Sequence, residues 1–81
     1  MASKKEIFLK QFGEHLRKLR EKRDITQFDL ASIINKDRQS IQRVEGGNIN
    51  ATLYYLQELS EGLQIPLKEI TDFRISEKKR K

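Results

Sequence analysis

Apolar side chains recur in this chain at helical spacing, but only over short segments that helix-ending residues interrupt. The stripe of the first segment, residues 4–22, consists of Phe8, Phe12, Leu16 and Leu19. Ser3 and Glu6 have the spacing of a capping box, which marks the start of a helix. No segment requires the two-residue period of a strand. The sequence therefore predicts an all-α fold with an extended first helix.

Four shorter helices are predicted after the first one. Their approximate ranges are 27–34, 37–45, 53–62 and 66–72. Thr26 and Thr52 are suitable N-caps, and Asn35 tolerates the left-handed conformation of a tight turn. Ile33 and Leu53 lie at inward spacings on their helices, so we expect both to face the core.

The chain length and the residue types exclude several classes of protein. Eighty-one residues suffice for one domain, which we place at 1–73, with 74–81 as a basic, disordered tail. Cysteine is absent and His15 is the only histidine, so we predict no disulfide, thiolate nucleophile, metal site or cofactor. We expect His15 to be a solvated helix residue. No apolar run reaches the length of a membrane span, and we expect a cytoplasmic protein that is not an enzyme.

The predicted third helix, residues 37–45, divides its side chains between two faces. One arc of its helical wheel carries Arg38, Gln39, Gln42 and Arg43. Ile41 and Val44 occupy the opposite arc. Arginine can bond guanine, and glutamine adenine, in bidentate fashion, and the whole chain has a net charge of +5. The four polar residues are therefore predicted to read bases in the major groove of double-stranded DNA.

The second helix, the tight turn and the third helix form a helix-turn-helix arrangement, with its core at 26–46. The small Ala31 lets the two helices approach closely. The sequence from Phe12 to Phe73 resembles the phage repressor/Cro type of helix-turn-helix domain, the xenobiotic-response-element family of bacterial regulators. The resemblance rests on Leu16-Arg17-Lys18-Leu19-Arg20, Ile25-Thr26-Gln27, Leu30-Ala31, Ser40-Ile41, Val44-Glu45-Gly46-Gly47, Leu53, Leu56, Leu63 and Ile65-Pro66-Leu67. It implies a compact five-helix, lambda-repressor-like fold and a nucleoid-associated transcriptional regulator, which we expect to be a repressor.

The resemblance also implies roles for individual residues. Base contacts fall on Arg38, Gln39 and Arg43, with Gln42 a weaker candidate. Phosphate contacts fall on Thr26, Gln27, Asn48 and Asn50, and we add Lys36 and Ser40 to this predicted group. In the family the glutamine at position 27 also reaches a base or braces the recognition helix. Arg20 and Glu45 are implied to form a partly buried ion pair that sets the angle between helices.

One reading helix contacts few base pairs, so we expect a homodimer on half-sites about 34 Å apart, formed in solution or only on DNA. The interface candidates are Tyr54, Tyr55, Ile70 and Phe73. Two alternatives stay open for the tyrosines, because they could instead cover the edge of the core.

Phe28, at a position that is normally polar in the family, packs against the N-terminal part of the first helix or forms an interaction surface. A second function also stays open: an antitoxin or other protein-interaction module with a protein as its main partner.

Overall fold

The computed structural model describes residues 2–73, which form five helices and no strand. The helices are α1 (Lys4–Lys22), α2 (Gln27–Ile33), α3 (Arg38–Glu45), α4 (Leu53–Leu63) and α5 (Leu67–Ile70). The predicted five-helix, all-α architecture is confirmed. The tail predicted at 74–81 lies outside the described residues. No helix within 2–73 combines the length and the apolar character that crossing a membrane requires.

Side chains outside the helices fix where each helix begins. The hydroxyl of Ser3 accepts from the Glu6 amide at 3.1 Å, and Glu6 Oε1 accepts from the Ser3 amide at 2.8 Å. This is the predicted capping box of α1. Asp37 caps α3 from outside the helix, because its Oδ1 accepts from the Ser40 amide at 2.9 Å. Pro66 likewise precedes α5 instead of lying in its first turn.

Nine apolar side chains contributed by all five helices form one core. They are Phe12, Leu16, Leu30, Ala31, Ile41, Val44, Leu59, Leu63 and Ile70. Two expectations about this core were wrong, because Ile33 is 58% exposed and Leu53 is 71% exposed. Ile33 is the last residue of α2 and Leu53 is the first residue of α4, and at these helix ends the neighbouring elements leave more than half of each residue exposed. The helical spacing alone does not show where the neighbouring helices stop.

Gly13 allows α1 to cross the C-terminal end of α3 in close contact. A Cβ atom at this position would lie 2.3 Å from the carbonyl oxygen of Glu45 and 2.6 Å from that of Val44. No side chain fits in that space, so the glycine permits the contact at some cost in helix propensity. The axis of α1 is thereby fixed against the helix that carries the predicted reading face.

His15 and Phe73 connect the middle of α1 to the segment that follows α5. His15 Nε2 lies 2.8 Å from the Glu69 carbonyl oxygen, and its ring stacks on Phe73 with the centroids 5.6 Å apart. Phe73 also contacts Phe8 and Phe12, at centroid distances of 5.2 and 5.6 Å. The expectation that His15 is a solvated helix residue was wrong, because its ring helps to hold the segment after α5 against α1.

Candidate nucleic-acid interface

A tight left-handed turn joins α2 to α3. Asn35 has a φ of 61°, as its position in the sequence predicts, and the Lys36 amide donates to the Ala31 carbonyl at 2.8 Å. This bond closes the end of α2 and reverses the chain within a few residues. Ala31 is 1% exposed, so its small side chain lies directly in the packed interior. The turn therefore presents α3 at a fixed position on the surface.

The outer face of α3 carries four exposed polar side chains. These are the predicted base-reading residues Arg38, Gln39, Gln42 and Arg43. On the other side of the helix Ile41 is 0% and Val44 1% exposed. Within residues 2–73, none of the four polar side chains takes part in an intramolecular hydrogen bond or ion pair. Their donors are therefore available to an external ligand.

Glu45, the last residue of α3, joins three segments of the chain. Arg20 donates to it twice, from Nε at 2.6 Å and from Nη2 at 3.0 Å. Gln27 Nε2 donates to it at 2.9 Å, and Arg20 Nη1 donates to the Ile25 carbonyl at 2.9 Å. The side chains of Arg20 and Glu45 are 10% and 4% exposed. The hydrogen bond with Glu45 raises the pKa of Arg20, against the opposing effect of burial.

The ion pair that the resemblance implied is present at this junction, together with a contact from Gln27. Arg20 and Glu45 form the implied contact, which fixes α1 against the end of α3. The Gln27 amide group is directed to Glu45, so it ties the start of α2 to the end of α3. Both side chains of the pair are nearly inaccessible to water, so replacing one of them leaves the other as a buried charge without its partner.

Besides Gln27, three more of the predicted phosphate contacts, Thr26, Lys36 and Ser40, have partners inside the protein. The Thr26 hydroxyl accepts from the Asp29 amide at 3.0 Å and retains its own hydrogen for another acceptor. Lys36 Nζ lies 3.2 Å from Glu58 Oε1. It also lies 5.1 Å from the centroid of the Tyr55 ring. Lys36 therefore has to leave Glu58, or share its charge, in order to reach a phosphate.

Ser40 and Tyr55 are partners of each other. Their side-chain hydroxyls form a short hydrogen bond that ties the middle of α3 to α4. The serine hydroxyl keeps only part of its hydrogen-bonding capacity for a phosphate. Tyr55, an interface candidate, thus covers the edge of the core, which is the second of the two alternatives that the sequence left open.

The loop after α3 is held by backbone contacts. Gly47 has a φ of 75°, and a Cβ on it would lie 2.7 Å from the Cα of Lys10 in α1. The Asn48 amide donates to the Arg43 carbonyl at 2.8 Å. Asn48 and Asn50 both have exposed side chains. The two predicted phosphate contacts therefore extend from a loop whose backbone is fixed against α1.

The interface candidates differ greatly in exposure. Tyr54 is 68% exposed, whereas Ile70 is 0% exposed. The prediction for Ile70 was wrong, because its side chain fills the core beneath α5 and cannot meet a partner. Phe73 packs within the chain against α1. Ile33, which the sequence placed in the core, lines the same shallow groove as Tyr54. These two residues are called the Ile33/Tyr54 patch below.

Phe28 is exposed next to the reading face. It is 64% exposed and lines a groove with Thr26, Gln27 and Arg38. It does not pack against the N-terminal part of α1, because the α1 residues lining this groove belong to the C-terminal turns of that helix. The first of the two alternatives for Phe28 is therefore wrong. Within residues 2–73 no group of His, Asp or Glu side chains is arranged to hold a metal ion.

The fold and this arrangement of residues agree with the comparison to known families. The model of the helix-turn-helix family matches residues 16–70. The chain belongs to the phage repressor/Cro-type helix-turn-helix family. The family match begins inside α1, so the first three turns of that helix lie outside it.

Several characterised members of this helix-turn-helix family are similar to the chain. The control protein C.MunI of a Mycoplasma species is 41% identical over 61 residues, which are 74% of this chain and 82% of that protein. The restriction-modification controller protein C.AhdI from Aeromonas hydrophila has a TM-score of 0.75 at 33% identity, covering 78% of this chain and 96% of its own. The controller protein C.Esp1396I, solved as a tetramer in complex with its natural 35 base-pair operator, has a TM-score of 0.69 at 28% identity, covering 88% of this chain and 100% of its own. Family and relatives together support a sequence-specific DNA-binding transcriptional regulator.

Proposed function

We propose that this protein is an operator-binding repressor that inserts α3 into the major groove of DNA and binds as a two-fold dimer. The observation that carries the proposal is the outer face of α3. Its four long polar side chains are exposed and make no bond within residues 2–73, while the opposite face is buried in the core. A helix presented in this way fits the width of the major groove.

Arg38 is the residue best placed to specify a base. It is the first residue of α3, and the N-terminal part of the second helix is the part that meets base edges in this motif. Its fork of donors matches the O6 and N7 acceptors of guanine. Gln39, Gln42 and Arg43 follow on the same face and extend the contact along the groove. Thr26 precedes α2, and Asn48 and Asn50 lie in the loop after α3; these three residues supply the proposed contacts to phosphate, which set the register.

The dimer is proposed to form through the Ile33/Tyr54 patch. Both side chains are more than half exposed, at 58% and 68%, and they line one groove between α2 and α4. Large apolar and aromatic side chains of this kind are typical anchors of protein interfaces. A two-fold dimer of this motif presents its two reading helices to half-sites about 34 Å apart, which is the arrangement proposed for a second copy on this patch.

The relatives suggest the biological setting. C.MunI is a control protein, and C.AhdI and C.Esp1396I are controllers of restriction-modification systems. We propose that this chain is a controller of the same kind, acting on the promoter of such a system. The Ile33/Tyr54 patch also fits the second candidate function, in which a protein is the main partner, because a partner protein and a second copy of the chain would cover the same apolar surface.

Selection from random duplex DNA tests the proposal. The purified chain is expected to retain a short two-fold motif at physiological salt. Arg38→Ala is expected to lose preference at one position in each half-site, at a cost of about 1–3 kcal/mol. Lys68→Ala is the matched control, since Lys68 is an exposed residue of α5, which packs against α1 and α4. Salt-sensitive retention without any motif would contradict the proposal and favour a protein partner.

A further inference from the structure

Phe28 is the one exposed aromatic side chain beside the reading face in the described residues, and the proposed function does not use it. A single exposed apolar residue needs no explanation by itself. The position of Phe28 is what makes it informative. It is the second residue of α2, directly after the predicted phosphate contacts Thr26 and Gln27, and it shares a groove with Arg38.

Phe28 does not belong to the Ile33/Tyr54 patch. The two α2 residues Phe28 and Ile33 are five positions apart, which places them about 140° apart around a helix. They also line different grooves, Phe28 with Arg38 and Ile33 with Tyr54. A partner that covers the patch therefore leaves Phe28 uncovered, and a DNA duplex that meets Arg38 lies beside Phe28.

Apart from Arg38, the groove around Phe28 offers no cationic side chain that is free to attract a phosphate. Arg20 lines it, but its charge is paired with Glu45. Glu21, in the last turn of α1, and Asp24, in the turn that follows the helix, add two carboxylates to the wall. What the groove offers next to Arg38 is therefore the apolar surface of Phe28. On the DNA side, the apolar group that projects into the major groove is the C5-methyl of thymine.

We propose that Phe28 is a specificity-determining residue that contacts a thymine methyl next to the base pair read by Arg38. The inference rests on the proposed function, since it requires α3 to lie in the major groove. Thr26 and Arg38 line the same groove as Phe28. With Thr26 at a phosphate and Arg38 at a base edge, as proposed, Phe28 lies close to the edge of the major groove, where a thymine methyl group is within reach.

Uracil substitution tests this contact, because deoxyuridine lacks only the methyl group of thymidine. The selected operator is prepared as a series of duplexes, each with one thymine replaced by uracil. At one position per half-site the replacement is expected to weaken binding of the natural protein about fourfold. This factor corresponds to the ~0.8 kcal/mol that burial of one methyl-sized apolar group contributes. The Phe28→Ala variant is expected to bind the unmodified operator about fourfold more weakly than the natural protein does. It should bind the unmodified operator and the duplex with uracil at the sensitive position with equal affinity.

Two further variants make the result unambiguous. Phe28→Leu keeps an apolar contact and should retain part of the preference for thymine. Lys68→Ala, on the surface of α5 and outside the proposed DNA and dimer surfaces, should retain all of it. The thermal midpoint of Phe28→Ala should stay close to that of the natural chain, since the side chain is 64% exposed.

The possible failures are distinguishable. If every uracil replacement changes the affinity of the natural chain and of Phe28→Ala by the same factor, the proposal is wrong. If Phe28→Ala weakens binding to all duplexes equally, Phe28 contacts the sugar-phosphate backbone, and its role in specificity is likewise refuted. If the natural chain selects no motif at all, the proposed function fails before Phe28 is tested, and this inference fails with it.

Discussion

Replacing the buried carboxylate of Glu45 would show how strongly the first three helices depend on one junction. Glu45→Ala removes the acceptor of two bonds from Arg20 and one from Gln27. We expect the free energy of unfolding to fall by about 3–5 kcal/mol, because the Arg20 guanidinium stays buried without a counter-charge. Three bonds to a charged group at about 1.5–3 kcal/mol each would sum to more. Water that enters the space left by the side chain partly solvates Arg20, so the lower range applies.

Urea unfolding of the two variants Glu45→Ala and Glu14→Ala measures this difference. Glu14 pairs with Arg17 on the surface, where the two side chains are 57% and 41% exposed, so its loss should cost about 0–1 kcal/mol. The midpoint of Glu45→Ala should fall strongly at an unchanged slope, which indicates a change in stability alone. An equal cost for the two variants would refute the argument that burial makes the Glu45 pair different.

A double variant protects the experiment against the case in which Glu45→Ala does not fold. Replacing Arg20 by Met together with Glu45 by Leu removes both charges and leaves apolar side chains of similar size. Such replacements of buried ion pairs are often neutral or stabilising. The double variant should therefore be more stable than Glu45→Ala, although the Ile25 carbonyl loses the bond that Arg20 Nη1 donates to it. A double variant as unstable as the single one would contradict the electrostatic reasoning.

Two further predictions concern DNA binding and assembly. Lys36→Ala should weaken binding to every sequence alike and reduce the salt slope by about 0.9, measured by fluorescence anisotropy over a salt series. Glu58→Gln, which releases Lys36 from its ion pair, should strengthen binding, and an unchanged slope in both variants would remove Lys36 from the phosphate contacts. Tyr54→Ala should weaken dimerisation about tenfold or more, in solution by sedimentation or on a duplex with two half-sites. Unaltered assembly of that variant would place the dimer interface elsewhere.

The sequence alone was sufficient to predict the helices of the fold and the turns between them. Helix α1 has the predicted bounds, and Asn35 adopts the left-handed conformation expected of it. The capping boxes and turns depend on residues three or four positions apart, so their physics is local and can be recognised without a structure. The two faces of α3 were predictable for the same reason, since a helical wheel requires only the local spacing.

The tertiary structure decided which apolar side chains are buried and which polar side chains are partners of each other. Ile70 and Leu53 have the same kind of apolar side chain on short helices, yet one is 0% and the other 71% exposed. The hydrogen bond of Ser40 with Tyr55 and the ion pair of Lys36 with Glu58 each join residues far apart in the sequence. These contacts arise from the packing of α4 against α2 and α3, which no local pattern encodes. Helical spacing determines which side of a helix is apolar, and only the arrangement of its neighbours determines whether that side is covered.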